Sequence, residues 1–192
     1  MTGAAALVVG ETLIDVVHAE GDQPTEKVGG SATNTAVALR RLGRDVRMAT
    51  SFGRDERGAA IAEFLEAERI PLAVDPYVIP RTSTATATIG ADGAASYTFD
   101  LDWRLGALLP GERPALVHVA SLGADVPPGS DAVLAMVRDL AATTTVSYDL
   151  NLRPAMVDYQ SDLTGTVEQL VDIAHIVKAS DEDLAMLSPG LS

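Results

Sequence analysis

Short apolar runs alternate with amphipathic stretches along this chain, the pattern of a parallel sheet with helical crossovers. Residues 5–10 (AALVVG) are apolar on both faces and end at glycine, which predicts a first strand covered on both sides. Residues 32–42 (ATNTAVALRRL) place Ala32, Ala36 and Leu39 on one helical face, and Gly43 suits the left-handed position that closes a helix. Residues 46–51 read as the next strand, and Asp55 is set to cap a second helix in which Ile61, Phe64 and Leu65 share a face. Strands are predicted again at 116–121, 145–149 and 176–178, with helices near 130–141 and 163–172. The expected fold class is α/β, a mostly parallel sheet flanked by helices.

One segment departs from this rhythm. Residues 82–89 (TSTATATI) put threonines at 82, 84, 86 and 88 on one side and Ala85, Ala87 and Ile89 on the other, the period of a half-buried strand. Asp92-Gly93 then supplies a hairpin turn, and residues 95–101 (ASYTFDL) return. Two readings stay open, a small flap beside the main sheet or an edge hairpin of that sheet.

Composition narrows the classes of function. The 192 residues carry 27 acidic and 14 basic side chains, a net charge of −13, which disfavours binding to phosphate backbones and anionic lipid. Neither nucleic acid nor a membrane is expected as a partner. The hydrophobic share of 47% is enough for a sizeable core. No apolar run approaches membrane-spanning length and residues 1–10 lack a basic leader region, so a cytoplasmic location is expected. Without cysteine, and with three histidines in no zinc spacing, thiolate chemistry and metal clusters are not expected.

Candidate chemistry gathers after the first strand. Glu11-Thr12-Leu13-Ile14-Asp15 follows it, and Gly29-Gly30-Ser31-Ala32-Thr33-Asn34 opens the first helix. In open α/β sheets ligands settle outside the carboxyl ends of the strands, where both segments are expected. Adjacent glycines let a ligand approach the backbone, and an Asp acceptor with an Asn amide suits vicinal hydroxyls. A polyol site is one reading; a solvated loop acid and a polar residue of the first helical turn are the other. No lysine with Ser or Thr follows Gly29-Gly30 at Walker spacing, and no GxGxxG follows the first strand, which disfavours a P-loop and a dinucleotide fold.

VGGSATNTAVALRRLG resembles the first signature of the ribokinase-like (PfkB) sugar kinases. Residues 51–70 are similar to the family's next block, with Gly53, Asp55 and Gly58 at its spacing. ADGAASYTFDL is similar to its lid, SYDLNLRP resembles the Asp-x-Asn-x-Arg segment of its fructokinase-like branch, and VKASDEDL resembles the segment after the next strand. Five motifs in the family's order cover residues 5–187.

The resemblance implies a ribokinase-like fold with a small β lid, here as an incomplete domain over 1–192 with lid elements at about 11–28 and 82–101. It implies ATP-dependent phosphorylation of a sugar hydroxyl with Mg2+, the sugar being fructose or a 2-keto-3-deoxy sugar acid. Asp15, Gly29, Gly30 and Asn34 match residues that hold the sugar, and Phe99 or Tyr97 would face it from the lid. Asn151 and Arg153 match residues reaching the phosphate end or an acidic substrate group. Lys178, Ser180 and Asp183 fall where relatives carry an Asn-x-x-Glu motif that organises magnesium and phosphate, although a capping box explains Ser180 and Asp183 as well. The catalytic Gly-Ala-Gly-Asp signature has no counterpart here. Gly123-Ala124-Asp125 lacks the second glycine and precedes DLNLRP, so the resemblance puts the catalytic base beyond Ser192. An open sheet edge is then expected to favour a homodimer. The alternative reading is a non-catalytic sugar-binding or assembly module derived from the kinase fold.

Overall fold

A computed structural model of the chain describes residues 5–19, 23–90, 95–111, 114–120, 122–152 and 163–187. Two sheets organise them. The larger has five parallel strands in the order β4-β1-β7-β8-β9, comprising β1 (Ala6–Val9), β4 (Val46–Ala49), β7 (Leu116–Ala120), β8 (Thr145–Asp149) and β9 (Ile176–Lys178). The smaller has the order β3-β2-β5-β6, from β2 (Leu13–Ala19), β3 (Thr25–Gly29), β5 (Thr84–Ile89) and β6 (Ala95–Asp100).

The helices are α1 (Ser31–Arg41), α2 (Glu56–Ala67), α3 (Leu122–Asp125), α4 (Gly129–Leu140), α5 (Leu163–Ile173) and α6 (Asp181–Leu187). Their apolar stripes cover the large sheet on both faces. Val8, Met48, Ala32, Ala36 and Ile61 form one buried cluster with Phe52 and Leu65. Leu7, Val9, Val117, Val119, Val146 and Tyr148 form the other with Val133, Val137 and Leu170. Each fully buried Val or Leu contributes about 1.5–3 kcal/mol relative to exposure, which makes β1 and β7 the anchors of the fold. Gly43 ends α1 at φ 73, a left-handed value that glycine adopts without a Cβ clash. Asp55 caps α2 by accepting from the Gly58 amide at 2.7 Å.

The threonine hairpin does not extend the large sheet. β5 runs parallel to β2 and antiparallel to β6, so it joins the two segments around 13–29 and 84–100 into one four-stranded unit. Burial along β5 also differs from simple alternation. Thr84 is buried, residues 85–87 are half-buried, and Thr88 and Ile89 are exposed. Burial thus falls from Thr84 to Ile89, so position along the strand governs it more than the choice of face. The Asp92-Gly93 turn lies outside the described residues.

Candidate functional site

The chain passes from the large sheet to the small one through Gly10, Glu11 and Thr12, and this crossing is buried. Polar groups there need partners. Thr12 Oγ1 is 2.9 Å from both the Thr33 and Thr50 hydroxyls, linking the crossing to α1 and to the end of β4. The Glu11 carboxylate accepts from the Ser31 amide at 3.1 Å, the Ser31 hydroxyl at 3.0 Å and the Gly123 amide at 3.0 Å. Burial pushes the Glu11 carboxyl above its usual range, and these bonds work against that rise.

On this base stand the four residues expected to hold a polyol. In β2, Asp15 pairs with Lys27 of β3, and a Cβ at Gly29 would lie 2.0 Å from Asp15 Oδ2. Glycine at position 29 is therefore what lets the Asp15 carboxylate lie over the backbone. At Gly30, φ is 102 and a Cβ would come within 2.6 Å of the Glu11 carbonyl oxygen, so a larger residue would be both strained and blocked. Gly30 also accepts the Asn34 amide at 3.0 Å, and the Asn34 side chain is exposed one turn into α1. Asp15, Gly29, Gly30 and Asn34 thus form one continuous structure, with the exposed Asp15 carboxyl pushed up by partial burial.

Phe99 belongs to the same face of the small sheet. Register places Lys27, Asp15, Ala85 and Phe99 in one row across the four strands, and Thr25, Val17, Ala87 and Tyr97 in the next row outward. Phe99 is half-buried, whereas Tyr97 is 59% exposed. The opposite face is tied to α2, because Arg57 forms a bidentate pair with Glu26. Asp55 accepts from the Thr82 amide at 2.8 Å and hydroxyl at 2.6 Å. Burial would raise the Asp55 carboxyl, but these bonds and the Gly58 amide outweigh it and hold it low.

At the far end of the large sheet, Lys178 Nζ lies 3.0 Å from Asp149 Oδ1. Asn151 follows β8 at φ 46, a conformation asparagine tolerates better than most residues. Ser180 and Asp183 bond reciprocally: the Ser180 amide and hydroxyl donate to Asp183 Oδ2 at 2.7 Å, and the Asp183 amide donates to Ser180 Oγ at 3.1 Å. Asp183 Oδ1 accepts the Leu152 amide at 2.6 Å. Burial opposes ionisation of Asp183, but these donors prevail and hold its carboxyl below the usual range. Arg153 lies outside the described residues.

The pattern of the pfkB family carbohydrate kinases matches residues 4–190. The chain belongs to that family. It is 25% identical over 194 residues to a fructokinase of Salmonella typhimurium, covering 96% of this chain and 63% of that protein. The apo fructokinase of Vibrio cholerae O395 superposes with a TM-score of 0.80 at 25% identity, over 97% of this chain and 67% of that one. A fructokinase of Xylella fastidiosa with bound ATP gives 0.83 at 23% identity, over 98% and 64%. The parallel large sheet and the small mixed second sheet are thus those of the ribokinase-like fold. Against the curated relatives, this pfkB chain spans 58% to 64% of their length.

The roles of two polar features of this kinase-family chain have no signal in the sequence motifs. Glu11 stands in a motif, yet its role as an acceptor shared by residues 20 and 112 positions away has no local signal. Asp125 and Tyr148 form the second: the Tyr148 hydroxyl donates to Asp125 Oδ1 at 3.3 Å inside the core. Burial pushes the Asp125 carboxyl up to about 8, the Tyr148 bond resists the rise, and the charges of Glu11 and Asp183 add to it.

Proposed function

We propose that this chain forms the sugar-binding part of an ATP-dependent carbohydrate kinase acting on fructose or a 2-keto-3-deoxy sugar acid. The observation that carries the reading is the Asp15 carboxylate lying over Gly29, next to Gly30 and within one helical turn of Asn34. A carboxylate accepts from two vicinal hydroxyls, an exposed Asn amide both donates and accepts, and bare backbone lets a sugar ring sit close. The small sheet then acts as a lid, with Phe99 facing the sugar and Tyr97 further out on the same face.

Phosphoryl transfer belongs to the complete kinase. ATP enters this reading because the family is a kinase family, and Asn151, Arg153 and Lys178 are the polar groups proposed for the phosphate end. Magnesium fits the described residues poorly, since both Asp183 oxygens already accept hydrogen bonds and Asp149 is paired with Lys178. Among the described residues no cluster of three His, Asp or Glu side chains could hold a metal ion. Ser180 and Asp183 are accordingly a cap that positions the start of α6 beside β9, and no catalytic step is assigned to them. A homodimer in the cytoplasm completes the proposal.

Calorimetric titration of the chain with fructose, 2-keto-3-deoxygluconate and ribose tests the reading. Saturable binding of fructose or the keto acid, with ribose weaker, is expected. Arg153→Ala should weaken the keto acid far more than fructose if the guanidinium reads its carboxylate. Failure of all three sugars to bind would overturn the proposal.

A further inference from the structure

Glu11 is 5% exposed, and three donors converge on its carboxylate from two other segments. One segment is the Gly30-Ser31 entry to α1. The other is the short helix α3 after β7, where the Gly123 amide donates to Glu11 and the Gly123 carbonyl accepts the Trp103 indole N–H at 2.9 Å. Trp103 follows β6, the last strand of the small sheet. A single line of hydrogen bonds thus runs from the return of the threonine hairpin through Gly123 and Glu11 to the turn that carries Gly30 and Asn34.

We infer that Glu11 is a positioning residue, whose carboxylate holds the Gly30-Ser31 turn and the root of the small sheet in one fixed relation so that Asp15, Gly29 and Asn34 meet a single sugar. The chemistry requires an acceptor on both oxygens. An ionised carboxylate offers acceptors only, whereas glutamine would turn an amide N–H2 toward the Ser31 or Gly123 N–H and leave two donors facing each other. Aspartate would fall a methylene short of one partner. The inference rests on the sugar-binding reading above for its ligand, but not for its geometry.

The test compares Glu11→Gln with Thr144→Ala in the full chain. Thr144 is buried at the other end of the large sheet, where its hydroxyl donates to the Pro114 carbonyl at 3.0 Å, so its loss destabilises the fold away from the site. Two quantities are read: amide hydrogen exchange at Ser31 and Gly123 by NMR, and the dissociation constant for fructose by calorimetry. Glu11→Gln should speed exchange at both amides by about tenfold or more beyond Thr144→Ala and weaken fructose binding about tenfold, while Thr144→Ala leaves affinity within about twofold. Exchange and affinity that change no more than in Thr144→Ala would overturn the inference. If the parent chain binds no sugar, the functional reading fails, while the exchange comparison still decides the role of Glu11. Should Glu11→Gln not fold, Ser31→Ala removes one of the three donors and is read the same way: faster Gly123 exchange supports the shared acceptor, and unchanged exchange refutes it.

Discussion

β1 and β9 are short apolar strands of one parallel sheet, and they differ in almost everything that follows from position. β1 (ALVV) is an interior strand, flanked by β4 and β7, and buried at all four residues, while β9 (IVK) is the last strand of the described sheet and exposed at all three, with Ile176 at 56% and Val177 at 42%. Around β1 the polar groups are interlocked: Glu11, Thr12, Ser31, Thr33 and Thr50 bond one another across three elements. Around β9 the polar groups are Lys178, Asp149 and a local cap. Burial is conferred by neighbours and not by the residues themselves. On the proposed reading the β1 end holds the ligand, and the β9 edge, unpaired among the described residues, is open to another strand or helix.

The buried strand is the more sensitive of the two to an added charge. Val8 is fully buried, and Val8→Asp places an uncompensated carboxylate in the core at a cost of several kcal/mol, on the order of the whole stability of such a domain. The variant should lack a cooperative thermal transition. Val177→Asp should leave the midpoint nearly unchanged and raise the monomer fraction in analytical ultracentrifugation, since a charge on the open edge opposes association. Equal damage from both substitutions would erase the distinction.

Within the β1 end, Asp15→Ala removes a charge-assisted acceptor and should cost about 1.5–3 kcal/mol of sugar binding by calorimetry, with little change in stability because Asp15 is exposed. Unchanged affinity would take Asp15 out of the site.

Asp125 makes the stability of the core depend on pH. Its folded carboxyl titrates near 8 and its unfolded one near the ordinary 3.8, so the native state binds the extra proton between those values. Stability from this group is therefore full below pH 4 and declines as pH rises toward 8. Asp125→Asn keeps an acceptor for Tyr148 and loses the titration. In thermal melts its midpoint relative to the parent should rise from pH 5 to pH 8.5. A difference independent of pH would show that Asp125 is ionised in the fold.

The smallest effect belongs to the Arg57–Glu26 pair, whose side chains are each 42% exposed. Arg57→Ala should cost less than about 1 kcal/mol in chemical denaturation, and less still at high salt.

These regions also differ in how readily the sequence announces them. The runs ALVV, LVHVA and TVSYD declare buried strands because parallel strands need apolar residues on both faces, and the helices between them show their stripes at helical spacing. Asp55 and the Ser180–Asp183 pair are equally plain, since a cap is a local event. β3 (TEKVG) was not legible as a strand, because an exposed edge strand carries no apolar period. For the site, motif spacing brings Asp15, Gly29, Gly30 and Asn34 into consideration, but only register shows that Phe99 shares a row with Asp15. The Thr12–Thr33–Thr50 chain and the three-donor Glu11 carboxylate depend on segments meeting in space, which no local pattern encodes.

In the proposed function the β1 end alone carries the sugar. Amide chemical-shift mapping of the chain during fructose titration tests it most directly. Shifts should concentrate at Asp15, Gly29, Gly30, Asn34 and Phe99, saturate with a single dissociation constant, and spare Ala115 and Thr144 at the opposite end of the sheet. Saturable shifts confined to the cleft that Ser130, Leu134 and Arg138 of α4 form with Thr166 and Gln169 of α5, or no shifts at any fructose concentration, would contradict that reading.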